Sequence, residues 1–266
     1  MNNLHRELAP ISEAAWAQIE QEAKRTLKRY LGARKAVDVE GPKGSAHSSV
    51  GTGHLKKIAS PGDDVEASQR LALPLVEFRV SFELSRQTID DVERGSEDSD
   101  WDPLKAAAQK IAYAEDRAVF DGYAAAGFKG IREVASNAPI SLPASLADWP
   151  EAVAKGVNAL KLAGVNGPYA LALGEKAYAA ASGGAEDGYP LLRHIEKEVD
   201  EIIWVPAIEG GAVLTKRGGD FEIELGQELS IGYLSHSATA VTLYFQESFA
   251  FRVLTAEAAV ALNGSK

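Results

Sequence analysis

Residues 41 to 74 are dominated by Gly, Ser, Pro, His and Asp, and their few apolar members, Val50, Leu55, Ile58, Val65, Leu71 and Leu73, are too sparse to enclose a core. A connection of this length with no core of its own is unusual inside a compact domain. Such a segment either lies loose on the surface or forms a projecting two-stranded arm whose apolar side chains are covered by another molecule. The arm is the expectation adopted here, and the body then has to form from the residues on either side of it.

Those flanks carry clear periodicity. Ser12 is placed to cap a helix over residues 12–31, with Glu13 in its first turn and Trp16, Ile19, Ala23, Leu27 and Tyr30/Leu31 recurring at helical spacing. A short strand follows around Ala36–Val39. Beyond the arm, Leu75–Leu84 alternates as a strand, and Ser85 caps a short helix that runs to Glu93 and stops at Gly95. A long helix is expected over Asp102–Ala125, opened by Asp102-Pro103 and striped by Leu104, Ala107, Ile111, Ala114, Ala118 and Tyr123. A further helix over 147–163, a buried-type strand at Tyr169–Leu173 and a helix from Glu175 complete the middle of the chain. From Ile202 onward the pattern is mostly β: Phe221–Leu225 alternates strictly, and Val241, Leu243, Phe245, Phe249, Phe251 and Val253 share one face of a long strand that Glu247 interrupts. Helices and strands are not arranged as repeating βα units, so the fold class is α+β.

Charge and composition narrow the chemistry. With 28 Lys+Arg against 38 Asp+Glu the 266-residue chain carries −10, which argues against general nucleic-acid binding. Residues 1–35 run the other way, with 7 basic against 4 acidic side chains. No cysteine is present, which excludes disulfides, thiolate metal sites and a cysteine nucleophile and suits a reducing compartment. Neither a secretory leader nor a spanning stretch is evident, so a soluble, cytoplasmic protein without a membrane partner is expected.

No enzyme motif survives inspection. The five histidines, His5, His47, His54, His194 and His236, form no His-Glu-x-x-His pair, so no metal site is expected. Asp98-x-Asp100-x-Asp102 begins like a calcium loop but has Pro103 at the sixth position and Gln109 at the twelfth, where glycine and a bidentate glutamate are needed. Gly51-Thr52-Gly53 lacks the third glycine of a dinucleotide turn, and there is neither a phosphate loop nor a Gly-x-Ser-x-Gly elbow. No catalytic residue is therefore expected.

Ordered strings along the whole chain resemble the encapsulins, the linocin-type nanocompartment shell proteins related to tailed-phage major capsid proteins. They include Leu8-Ala9-Pro10 before the Trp16 helix, Gly41-Pro42, Asp91-Val92-Glu93-Arg94-Gly95, Glu115-Asp116-Arg117, Gly167-Pro168-Tyr169, Gly188-Tyr189-Pro190, Arg217–Asp220, Gly226-Gln227 and Ile231-Gly232-Tyr233. The resemblance implies a capsid fold divided into an N-terminal helix and start of the peripheral domain (1–40), an extended loop (41–74), more peripheral domain (75–130), an apical domain (131–220) and C-terminal peripheral strands (221–266). It implies a homo-oligomeric icosahedral cage, most simply of sixty subunits, that encloses a cargo enzyme bearing a C-terminal targeting peptide. A dye-decolorising peroxidase linked to oxidative stress is the favoured cargo and a ferritin-like protein the next. A bacteriocin-like or protease enzyme, or a true phage capsid protein, are the alternatives.

By the same resemblance, the peptide would dock beside Leu27, Tyr30, Leu31, Arg34, Asp38, Ile231 and Tyr233, with apolar pockets holding side chains while Arg34 and Asp38 fix register by charge. The competing reading makes the apolar members core and Arg34–Asp38 a structural ion pair. Glu186, Asp187, Gly188 and Tyr189 would form a fivefold pore loop whose carboxylates favour cations, against the alternative of an ordinary surface turn. Some members stack a flavin on a tryptophan just past the strand that closes here at Leu84. Leu84-Ser85-Arg86-Gln87-Thr88 offers no ring at that point, so no cofactor is expected.

Overall fold

The computed structural model describes residues 3–186 and 189–264. The N-terminal helix α1 (Glu13–Tyr30) starts where Ser12 accepts a hydrogen bond from the Ala15 amide, and a short helix α2 (Ala33–Ala36) leads into β1 (Asp38–Glu40). The chain then leaves the body as β2 (Ser49–Ile58) and returns as β3 (Ala67–Pro74), continuing directly into β4 (Val76–Ser85). Next come α3 (Arg86–Glu93), capped by Ser85, the long α4 (Asp102–Phe120), the short α5 (Ile131–Val134) and β5 (Ile140–Ser141). The following stretch holds α6 (Trp149–Leu162), β6 (Tyr169–Leu173), α7 (Glu175–Gly183), the small pair β7 (Ala185–Glu186) and β8 (Tyr189–Pro190), α8 (Leu191–Ile195) and β9 (Glu201–Trp204). It ends with β10 (Gly211–Thr215), β11 (Phe221–Leu225), β12 (Ser230–His236), β13 (Ala240–Val253) and β14 (Ala259–Asn263).

Two sheets organise the body. In the first, β13 is shared: its residues Ala240 to Phe249 pair antiparallel with β4 on one edge, while β12 and β11 take successive halves of the other edge and β1 runs parallel to β11. In the second, the order is β5-β14-β10-β6-β9. The last strand thus departs from the expected division of the chain: β14, within the segment assigned to the peripheral domain, pairs with β10 in the second sheet, where Val213↔Val260 and Leu214↔Ala259 put apolar residues side by side. A lone five-residue apolar strand is buried by completing whichever sheet has an open edge, and that choice leaves no mark in its own periodicity.

The arm behaves as its composition demands. Among the described residues β2 and β3 pair only with each other, with an irregularity between Gly51 and Leu55. Val50 at its root is buried, whereas Leu55, Ile58, Val65 and Leu71 farther out are exposed. The root is held to the body by backbone bonds from Lys43 to Leu225 (3.0 Å) and Gly44 to Gly226 (2.7 Å), and by Glu224, which receives His47 Nε2 at 2.6 Å and Lys43 Nζ at 2.9 Å. Val50 and its partner Leu73 still pack on the body's core, whereas the apolar side chains farther out gain nothing from it.

α4 is shorter than its stripe suggests. It ends at Phe120 because the chain turns back through Gly122 (φ +90°), where a side chain would meet Glu133 and Gly130 at 2.7 and 2.9 Å. Tyr123 is therefore off the helix and half exposed, paired by backbone to Phe128. Leu162, at the end of the α6 stripe, is also exposed.

Candidate docking groove

α1 presents one face to the first sheet. Ile19, Ala23 and Ala15 pack with Phe82, Leu104, Ile231, Leu243 and Phe245 in a shared core. Where α1 passes the start of β12, a groove of about 550 Å³ remains open, floored and walled by Ala23, Leu27, Leu31, Leu229, Ile231 and Phe245. Leu27, Leu31 and Lys24 and Lys28 recur at three- and four-residue spacing, so they share one side of α1. Ion pairs stand at both ends: Arg6 with Glu20, beside Leu4, and Arg34 with Glu228. A second cleft of about 530 Å³ lies near Arg117, Trp149, Glu175 and Glu209, in the other half of the molecule.

Of the seven residues expected at a docking site, the structure brings Leu27, Leu31, Arg34 and Ile231 together on this groove. Tyr30 turns away to meet Tyr113 edge to face and Trp204 at a tilt, with ring centroids 5.7 and 5.6 Å apart. At about 100° per residue it stands on the far side of Leu27 from Lys24, Lys28 and Leu31. Asp38 lies outside the groove, where it accepts a hydrogen bond from the Gly219 amide; a small cleft there is shared with Thr215 and Lys216. Arg34 and Asp38 therefore form no pair. Tyr233 shares a 2.5 Å hydrogen bond with His236, past the end of the groove. Sequence reasoning did not pick out Leu4, Lys24, Lys28, Glu228, Leu229 or Phe245 as groove residues. Of these only Phe245 had a signal, its place on the apolar face of β13.

Arg34 itself is not available as a free cation. Its Nε and Nη2 bond Glu115 (2.7–3.0 Å), Nη2 also bonds Glu247 (2.9 Å), and Nη1 bonds Glu228 (2.6 Å). Glu115 and Glu247 are fully buried and Arg34 keeps 16% of its side chain exposed. Burial opposes the arginine's charge, and the adjacent Glu115, Glu247 and Glu228 more than offset this, raising its pKa above the ordinary value. Glu247 is the residue that broke the apolar face of β13. Burial, then the neighbouring Glu115 charge and a hydrogen bond to Glu115, hold its pKa well above the usual carboxyl range. A neutral Glu247 lets one arginine serve two buried carboxyl groups without leaving two like charges in contact.

The triplet that drew notice in the sequence has three separate tasks. Glu115 holds Arg34. Asp116 accepts the amides of Gly32 (3.1 Å) and Ala33 (2.7 Å) at the start of α2, and burial pushes its pKa up to about 8 despite those bonds. Arg117 donates to the Ala207 carbonyl at 3.0 Å. The α4 triplet thus fixes the bend after α1 that carries Arg34 to the groove's end.

The raised Glu247 pKa has a definite sign for stability. Above the ordinary glutamate value near 4.5 the unfolded chain has lost this proton while the folded chain retains it. Stability contributed by the group is thus complete at acid pH and declines as pH rises towards the folded value. Glu247→Gln, neutral at every pH and still able to donate to Glu115, should flatten that decline. Thermal midpoints of wild type and variant recorded from pH 5 to 10 should diverge with rising pH in favour of the variant; parallel curves would show that Glu247 does not carry the proton.

The other expected site is only partly described. Ala185–Glu186 pairs antiparallel with Tyr189–Pro190, and Asp187 and Gly188 lie outside the described residues. Among the described residues no His, Cys, Asp and Glu group is arranged to hold a metal ion, and no helix is long and apolar enough to cross a membrane.

The α+β body, with its projecting two-stranded arm and an apolar groove beside its N-terminal helix, has a capsid-type fold. Solved structures agree on the fold. A virus-like particle from Pyrococcus furiosus superposes with a TM-score of 0.62 at 19% identity over 93% of this chain and 99% of that one, and the capsid of Myoviridae phage XM1 gives 0.55 at 12% over 88% and 92%. The family model described as "Encapsulating protein for peroxidase" matches residues 1–250, and the chain belongs to that encapsulin family. It is 53% identical to the type 1 encapsulin shell protein of Rhodococcus erythropolis over 98% of this chain and all of that one. It is 49% identical to that of Mycobacterium tuberculosis over 99% and 100%. Shell proteins of this family are structural, so the protein is not an enzyme, and the protease and bacteriocin alternatives give way.

Proposed function

We propose that copies of this chain close into an icosahedral nanocompartment in the cytoplasm, most simply of sixty subunits, and retain a cargo enzyme by binding its C-terminal targeting peptide. The groove between α1 and β12 carries this reading: an apolar channel at a sheet edge, with polar ends, is what an extended peptide with alternate apolar side chains requires. The exposed apolar side chains of the arm supply the complementary need for a neighbouring subunit. A haem peroxidase of the dye-decolorising type is the first cargo candidate, in line with the printed description of the family, and a ferritin-like protein the second. The segment Glu186, Asp187, Gly188 and Tyr189 is assigned to the fivefold pore. A phage-capsid role is not favoured, since the relatives matched along the whole chain are encapsulin shells.

The test is co-expression with a dye-decolorising peroxidase carrying its native C-terminus, and separately with the same enzyme truncated by thirty residues. Megadalton particles should form in both cases and hold peroxidase only in the first. A stable monomer or dimer would remove the shell reading, and equal retention of both enzymes would remove the peptide.

A further inference from the structure

Along the outer strand edge that runs from Leu229 into β12 and past the groove, two of three successive outward positions are already used. The Tyr233 amide donates to the Leu4 carbonyl at 2.8 Å, so the chain's own N-terminal segment pairs there, further tied by Tyr244 Oη to the Asn3 carbonyl (3.1 Å) and Asn3 Nδ2 to Gln227 (2.9 Å). The Leu229 amide is covered by the Glu228 carboxylate at 2.8 Å, which Arg34 holds in place from the other side. Between them, Ile231 pairs with Phe245 on β13 in the same phase as Tyr233 with Leu243. In an antiparallel ladder, residues two apart turn their amide and carbonyl to the same side, so Ile231 points both outward, as Tyr233 does. Among the described residues, nothing accepts or donates to them. Across the groove, Lys24 and Lys28 are exposed and, among the described residues, have no acidic partner.

We infer that the groove's occupant is an extended acidic segment that adds to the sheet at Ile231 alone and sets a carboxylate against Lys24 and Lys28. This rests on the docking reading above and deepens it. Leu4 and Glu228 act as stops at either side, so register is fixed by the single open backbone position. Arg34 contributes by holding Glu228 over Leu229 and is a positioning residue, which gives it a different part from the direct charge contact expected from sequence. The open position supplies two backbone hydrogen bonds that do not depend on the peptide's side chains. The lysines then discriminate between acidic and basic segments of similar apolar content.

Hydrogen exchange on intact shells, empty or loaded with the co-expressed peroxidase, reads the backbone directly. Loading should slow the Ile231 amide about tenfold or more and leave those of Leu229 and Tyr233, already covered, unchanged. Exchange at Ile231 that is the same in both states, with cargo held, would overturn the inference. The charge arm is Lys24→Glu with Lys28→Glu, which should cut retained peroxidase about tenfold in shells of normal size; undiminished retention would also overturn it. Leu27→Asp separates the two levels. If it releases cargo while both other readouts are unaffected, the groove stands and the Ile231 register falls; if it retains cargo, the groove itself is wrong.

Discussion

Arg34→Ala should lower the thermal midpoint of the protein by on the order of 10 °C, the largest loss expected from any single exposed or half-buried residue in this fold. Removing the guanidinium leaves Glu115 and Glu247 facing each other in a fully buried site, and Glu228 without its partner. Breaking a buried pair from one side typically costs about 3–5 kcal/mol, because the stranded carboxyl groups keep their desolvation penalty. Arg34→Lys should recover little, since one ammonium cannot reproduce the two-pronged bond to Glu115 while also reaching Glu247 and Glu228. Differential scanning calorimetry at neutral pH checks this; a shift of a degree or two would mean that the network is replaced by water. The same reasoning makes Arg34→Glu unsuitable for probing docking, because lost cargo and lost folding would coincide.

Leu27→Asp should abolish cargo retention while leaving the shell intact. Leu27 is half-buried on the groove wall and packs on the margin of the core from outside, so the subunit should tolerate a polar replacement there. A peptide side chain lying against it would lose an apolar contact worth about 1.5–3 kcal/mol and meet a carboxylate instead, enough for a fall of about tenfold or more. Leu162→Asp, at an exposed position on α6, is the matched control and should change neither assembly nor cargo. Quantifying haem absorbance per shell mass after purification gives the answer in one measurement.

Local periodicity located most of the elements and missed most of the partnerships. Ser12 and Ser85 capped the helices they were expected to cap, and the sparse apolar content of 41–74 was sufficient to describe an arm. These features are decided within a few residues of chain. The Arg34 network joins residues 81, 194 and 213 positions apart, and no spacing rule spans such distances. Its one trace in the sequence was Glu247, a charge set on an otherwise apolar strand face. Tyr30 and Asp38 show the opposite failure. Both sit close in sequence to true groove residues, but 60° of helical rotation and the bend fixed by Asp116 send them elsewhere. The end of α4 was misplaced because an apolar residue at the right spacing, Tyr123, continued the stripe past the turn at Gly122.

The long pairing of β4 with β13 has a mechanical meaning. β3 runs straight into β4, so a pull on the arm is delivered along the strand axis to ten consecutive residue pairs, from Val76↔Phe249 to Ser85↔Ala240. Loaded lengthwise, such a ladder must fail all at once, whereas a strand peeled from its end gives way one pair at a time. Tension on the arm is therefore resisted by ten pairs of the central strand at once, and if arms grip neighbours as proposed, a cage under internal pressure should come apart by arms slipping before any body is torn open.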